Sequence, residues 1–215
     1  MKFLDFYGDH FTRYLTETQI QTLKMLLWLL TVHKQVKIER LAACLPLPIL
    51  YESRRKHLQR FLMLTALSLS LLWFPIIKSI INKEFKEGSC LLITLDRTQW
   101  KDKNVFVIAV IWKKRALPIY WQLFSKRGAS KLDEQKALIR PVLRLLRKYE
   151  LVLIGDREFH SVKLAHWLQE KAKRQPIFFT FRQKQGTNYK EKDQDFQKFS
   201  ELGLVPGMKR FLTGV

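Results

Sequence analysis

The sequence predicts an α/β protein in which an all-helical N-terminal part precedes a mixed sheet of order β-β-β-α-β-α-β. Three observations carry that expectation. Up to about Glu87, apolar residues recur at helical spacing. From Gly88 onward the period shortens, and apolar, β-branched runs alternate with turn signals. Two longer amphipathic stretches, residues 133–149 and 160–173, then each precede a single apolar run, the pattern of helices crossing over to parallel strands. The expected divisions are residues 1–87, 88–182 and 183–215.

In the first division, residues 18–33 place Ile20, Leu23, Leu26, Leu27 and Leu30 on one helical stripe. Residues 37–44 form a second, short helix that stops before Pro46 and Pro48, and residues 51–63 form a third. The third crowds Arg54, Arg55, Lys56, His57 and Arg60 into about two and a half turns. A short helix, a turn and a basic helix together fit a helix-turn-helix reader of DNA, and equally a solvated helix face. Residues 61–77 carry no charge and approach membrane-spanning length, but Thr65, Ser68, Ser70 and Pro75 interrupt them. A buried helix packed on the next domain is expected there.

In the second division, residues 90–96 form a short apolar strand. Residues 104–112 form a β-branched strand, and Lys113-Lys114-Arg115 makes a tight basic turn. The strand over 116–124 contains Pro118, which points to a bulge or a sheet edge because proline has no N–H for a ladder. Trp112 and Trp121 are core candidates. After the helix at 133–149, residues 151–155 form a strand that ends at Asp156. The helix at 160–173 leads to a strand over 176–181. Beyond Arg182 the chain turns polar, with turns at Gly186-Thr187-Asn188 and Val205-Pro206-Gly207 and the start of a strand at 210–215.

Lys and Arg number 39 against 19 Asp and Glu, so the formal net charge is +20. That excess favours a phosphate-rich partner, nucleic acid first. Residues 86–215 hold +14 of it and residues 1–85 hold +6. Cys44 and Cys90 lie far apart and outside any metal-ligand spacing, so neither a disulfide framework nor a zinc site is indicated, in keeping with a reducing compartment. The first residues lack a long apolar core, so no signal peptide is expected; nor is a membrane-embedded protein.

The residues best suited to chemistry are two aspartates. Asp96 follows Leu-Leu-Ile-Thr-Leu and precedes Arg97-Thr98-Gln99-Trp100, and Asp156 follows Leu-Val-Leu-Ile-Gly and precedes Arg157-Glu158-Phe159. Each stands where an apolar strand should meet solvent. Asp also favours such turns on its own account. Carboxylates held at strand ends can share hard cations such as Mg2+ or Mn2+, which take oxygen ligands and assist phosphoryl displacement. Arg97, Arg157, Lys101 and Lys103 flank the pair as candidate phosphate contacts, and Trp100 as a base platform or packing residue.

The predicted element order is that of a ribonuclease-H-like fold, whose first strand is central and whose fourth lies beside it, so Asp96 and Asp156 are expected to converge at the carboxyl ends of adjacent strands. The Asp96-Arg97-Thr98-Gln99-Trp100 block, the Gly155-Asp156-Arg157-Glu158-Phe159 block and the basic helix from Ser53 to Phe61 resemble the bacterial insertion-sequence DDE transposases. The group is the one defined by a late Tyr-x2-Arg-x3-Glu-x6-Lys signature. The resemblance covers nearly the whole chain.

It implies cut-and-paste DNA cleavage and strand transfer, Asp96 and Asp156 as the first two acids of a Mg2+- or Mn2+-binding triad, and Arg54, Arg55, Lys56, Arg60, Arg97 and Arg157 as DNA contacts. It also implies a homodimer on the terminal inverted repeats of an element, and a nucleoid-associated cytoplasmic location. The third acid belongs in the Tyr-Arg-Glu-Lys helix, which does not occur before Val215. The chain is therefore expected to be an N-terminal portion, ending at the start of an inserted β-rich subdomain and inactive in strand transfer. Two readings stay open beside it: a non-catalytic DNA-binding or inhibitory protein, and a ribonuclease-H-type metal nuclease that uses the two aspartates with Glu158 as a surrogate third ligand. Glu158, two residues past Asp156, is nevertheless expected to point away or to bind an arginine.

Overall fold

The computed structural model describes residues 7–125, 128–184, 186–191 and 195–211, except the side chain of Trp100. The chain divides into two compact units, one up to Glu84 and one from Phe85 onward. The strand expected over 210–215 falls mostly outside the described residues.

Helices α1 (Gly8–Thr12), α2 (Glu17–His33), α3 (Ile38–Cys44), α4 (Tyr51–Leu62) and α5 (Phe74–Glu84) make up the first unit. Helix α2 starts on a capping box: the Thr16 hydroxyl accepts from Gln19 N at 3.4 Å, and the Gln19 side chain accepts from Thr16 N at 3.0 Å. Its inner stripe meets α3 and α4 in a core of Leu26, Leu29, Leu41, Ala42, Leu45, Leu58 and Phe61. A second cluster gathers Phe11, Leu15, Leu72 and Ile76.

The uncharged stretch at 61–77 is not the single buried helix expected. Helix α4 stops at Leu62, and Met63 is 83% exposed. The chain restarts where Ser68 accepts from Leu71 N, passes through a π-helical turn at Leu69–Trp73, and continues as α5. Among the described residues no helix is long and apolar enough to cross a membrane.

The second unit is built on a five-stranded sheet of β1 (Cys90–Trp100), β2 (Lys103–Trp112), β3 (Arg115–Phe124), β4 (Glu150–Gly155) and β5 (Ile177–Phe181), in the order β3-β2-β1-β4-β5. The β1-β2-β3 meander is antiparallel, whereas β4 and β5 add in parallel. Parallel neighbours need crossovers, supplied by α6 (Leu132–Leu145) and α7 (Val162–Ala172). Both helices bury apolar stripes, Leu138, Ile139 and Val142 in one and Leu164 and Leu168 in the other, above Leu91, Ile93, Leu95, Phe106, Ile108, Leu151 and Leu153.

Two local features differ from the sequence reading. β1 does not end at Asp96; pairing with β2 carries it on to Trp100, opposite Lys103. Trp121, expected in the core, is 39% exposed on the edge strand β3. The bulge expected from Pro118 is present, as the β2–β3 register slips between Ile108 and Ala109. The Lys113-Lys114 turn takes positive φ of 46° and 63°, the left-handed conformation a two-residue hairpin needs to match strand twist.

Past β5, a small antiparallel pair joins β6 (Asn188–Tyr189) to β7 (Gln197–Lys198), so Asn188 is extended rather than in a turn. Tyr189 stacks on Phe199 with ring centroids 5.1 Å apart.

Gly155, the last residue of β4, is enclosed by two phenylalanines. A Cβ there would lie 2.9 Å from a ring atom of Phe181 and 3.0 Å from one of Phe159. Phe159 is fully buried, so the space cannot open freely. Gly155→Ala is expected to cost about 1–3 kcal/mol through overpacking, to be read from chemical denaturation.

Candidate functional site

The sheet register decides where the two aspartates stand. Parallel pairing matches Cys90 with Glu150 and continues to Leu95 with Gly155. Asp96 and Asp156 are the next residues on the two strands. Asp156 keeps extended backbone, φ −78° and ψ −168°, so the alternation of side chains runs on through it. Leu91, Ile93, Leu95, Leu151, Leu153 and Gly155 face the helices and are buried. Leu92, Thr94, Val152 and Ile154 face the other way, and Asp96 and Asp156 belong to that second face. Neighbouring strands run about 4.8 Å apart, so the carboxylates occupy adjacent positions at the carboxyl end of the central strands. Open α/β sheets place their ligand crevices at this edge.

Both aspartates are exposed. Asp96 Oδ1 accepts from Arg97 N at 2.8 Å, and Asp156 Oδ1 accepts from Glu158 N at 2.9 Å. One oxygen of each is thus fixed by its own backbone, which restricts the rotamer. Among the described residues neither carboxylate forms an ion pair. This donor set suits a hard cation: Mg2+ keeps most of its water shell and needs one or two carboxylates plus phosphate oxygens. Among the described residues no group of three or more His, Cys, Asp or Glu side chains is placed to hold a metal.

The flanking residues divide between the two faces. Arg157 is exposed beside Asp156. Arg97 turns to the helix-covered face, where one guanidinium nitrogen reaches Asn104 Oδ1 at 3.2 Å and the Gly128 carbonyl at 3.1 Å. The other lies 3.3 Å from Glu158, whose side chain is only 7% exposed. Glu158 also accepts from the backbone N–H of Ser130 and, at 2.5 Å, from its hydroxyl. Its carboxylate is therefore satisfied away from the aspartates.

Asn104, fully buried, donates to the Gly128 carbonyl at 2.8 Å. Gln135 donates to Ser130 Oγ at 2.8 Å and to the Glu158 carbonyl at 3.0 Å. Sequence reading did not single out Asn104, Ser130 or Gln135. The only available signal was a polar residue at the mouth of an apolar strand or helix, which is common.

The basic helix α4 is sorted by its own geometry. Arg54 points inward and donates to the Leu45 carbonyl at 3.0 Å, and its Nε is buried. It closes the turn between α3 and α4. Arg55 pairs with Glu52 at 3.0 Å on the same helix. His57 Nε2 meets the Thr22 hydroxyl at 2.9 Å. Lys56 and Arg60, four residues apart, are exposed on the side opposite Leu58. Of the four arginines and lysines of α4 expected to meet DNA, these two have their charge directed outward without a protein partner among the described residues.

No family model matches the chain, and neither does any curated protein. Among solved structures it is similar to the piggyBac transposase synaptic complex with hairpin DNA, at 13% identity and TM-score 0.43, over 80% of this chain and 43% of that one. It is also similar to the Drosophila P element transposase strand transfer complex, at 13% identity and TM-score 0.29, over 82% of this chain and 47% of that one. The chain spans less than half the length of either.

Because Arg54 serves a buried carbonyl, Arg54→Ala is expected to lower stability by about 2 kcal/mol. Lys56→Ala should leave the melting temperature unchanged. Thermal melts of the two variants beside the parent chain make the comparison.

Proposed function

We propose that this chain carries the DNA-binding region and two of the catalytic acids of a transposase. The type is that of the bacterial insertion-sequence DDE enzymes with the Tyr-Arg-Glu-Lys signature, on a ribonuclease-H-like sheet. The observation that carries this reading is the adjacent, same-face placement of Asp96 and Asp156 at the carboxyl end of β1 and β4. Two acids from distant sequence positions stand side by side there, exposed and without an ion pair among the described residues, on a chain of net charge +20.

Asp96 and Asp156 would hold Mg2+ or Mn2+. When bound, such an ion supplies the positive charge that activates a water or 3′-hydroxyl and steadies the leaving oxygen of a phosphodiester. The aspartates contribute ionised oxygens on rigid strand positions. Arg157, exposed at the same edge, is suited to a DNA phosphate. Lys56 and Arg60 of α4 are suited to the phosphates of a duplex, the expected element end. Arg54 and Arg97 do not belong to that contact set, since each already serves a protein acceptor.

Mn2+ binding followed by electron paramagnetic resonance or calorimetry tests the site. Asp96→Asn and Asp156→Asn should each weaken binding on the order of tenfold or more. Equal affinity in Asp96→Asn and the parent chain would overturn the assignment.

Duplex binding tests the helical unit. Combining Lys56→Ala with Arg60→Ala should weaken binding to all sequences and reduce the salt slope of log K by about 2. An unchanged slope would remove α4 from the interface.

A further inference from the structure

Directly behind the aspartates, on the helix-covered face of the sheet, lies a polar network that the chemistry of the site does not itself use. Arg97 follows Asp96, and Glu158 stands two residues after Asp156. The 3.3 Å pair between them therefore ties one aspartate-bearing segment to the other. β1 and β4 are hydrogen-bonded only as far as Leu95 and Gly155, one step short of the aspartates. Beyond that step β1 continues along β2, while the chain after Gly155 turns into the 3-10 turn at Arg157–Phe159. With no further ladder bond to hold the two segments side by side, the ion pair takes over where the ladder stops.

The rest of the network fixes both partners. Asn104 and the Gly128 carbonyl anchor Arg97 from β2 and from the loop after β3. Ser130 anchors Glu158 through its N–H and its hydroxyl, and Gln135 of α6 holds that hydroxyl and the Glu158 backbone together. At 7% exposure the Glu158 carboxylate is shielded from competing water, so its geometry is enforced rather than loosely sampled. The pair also commits Arg97 to the far face. A guanidinium left free next to Asp96 could fold onto the carboxylates and occupy the place of a cation.

We infer that Glu158 and Arg97 are positioning residues that set the spacing of Asp96 and Asp156, with Ser130 as the hydrogen-bonding support of Glu158. This inference rests on the reading of the aspartates as a cation site.

The test is Mn2+ affinity of the full chain for Glu158→Gln, Arg97→Lys and Ser130→Ala, each measured well below its own melting temperature. Glu158→Gln and Arg97→Lys should lose about tenfold in affinity, the usual scale for a support removed from behind a metal ligand. Arg97→Lys keeps the charge and loses the fork. Ser130→Ala changes no charge and should also weaken binding.

The losses should persist at about 1 M salt, where the screening length is about 3 Å and long-range charge effects fade. Melting temperatures that fall while Mn2+ affinities stay within about twofold would leave the network a purely structural one and overturn the inference. So would a loss that disappears at high salt. Mn2+ binding indifferent to Asp96→Asn as well would overturn the cation site itself, and the positioning role with it. Loss in Asp96→Asn beside unchanged affinity in all three network variants would overturn the positioning role alone.

Discussion

The parallel pairing of β1 with β4, from Cys90–Glu150 to Leu95–Gly155, is the constraint on which the second unit turns. It makes the first strand central, with an antiparallel meander on one side and crossover strands on the other. It sets odd-numbered residues of both strands toward the helices and even-numbered ones away. A one-residue slip of β1 would invert that arrangement, turning Asp96 toward the helices and Leu91, Ile93 and Leu95 away from them. The register is held by full burial of Leu91, Ile93, Leu151 and Leu153, and by Gly155, whose lack of a side chain lets Phe159 and Phe181 close over the strand end.

The two faces of the same strand ends are chemically different. One carries aspartates whose free oxygens face solvent. The other carries an ion pair and amide hydrogen bonds shielded by α6 and the loop before it. A buried pair gains little net stability, because desolvation offsets most of the attraction. Its value lies in geometry: with partners on β1, β2, the Gly128–Ser130 segment and α6, it allows few alternative arrangements. Breaking such a pair leaves an uncompensated charge, so the network is also a vulnerable point of the fold.

In the helical unit, packing competes with charge for the same residues. Helix α4 needs Leu58 and Phe61 inside and uses Arg54 to satisfy the Leu45 carbonyl at the proline-rich turn. What remains for an outside partner is narrower than the run of basic letters implies. Lys56 and Arg60 share a face because they are four residues apart, and Arg55 is partly neutralised by Glu52.

Much of the architecture was legible from the chain itself. Helical spacing in residues 18–33, β-branched runs at 90–96, 104–112 and 151–155, and the bulge at Pro118 reflect local rules of backbone and side-chain preference, and these act wherever the segment lies. The prominence of Asp96 and Asp156 was legible for the same reason, since each follows an apolar run. Local rules failed where a partner strand or a tertiary contact decided the outcome. β1 runs to Trp100 because β2 supplies its ladder, residues 61–77 break because Ser68 restarts a helix there, and Trp121 is exposed because its pairing with Val107 puts it on the sheet face opposite Phe106 and Ile108.

The sequence by itself determined most of the helices and strands and which residues have the chemistry to bind a cation or a phosphate. That Asp96 and Asp156 should meet at the ends of adjacent strands already followed from the element order; only the tertiary structure decided the register that sets them on one face and commits Glu158 and Arg97 to each other on the opposite one. It also decided that Arg54 donates to the Leu45 carbonyl across the turn between α3 and α4. Those outcomes depend on strand register and on hydrogen bonds between residues far apart in the chain, which no local preference encodes.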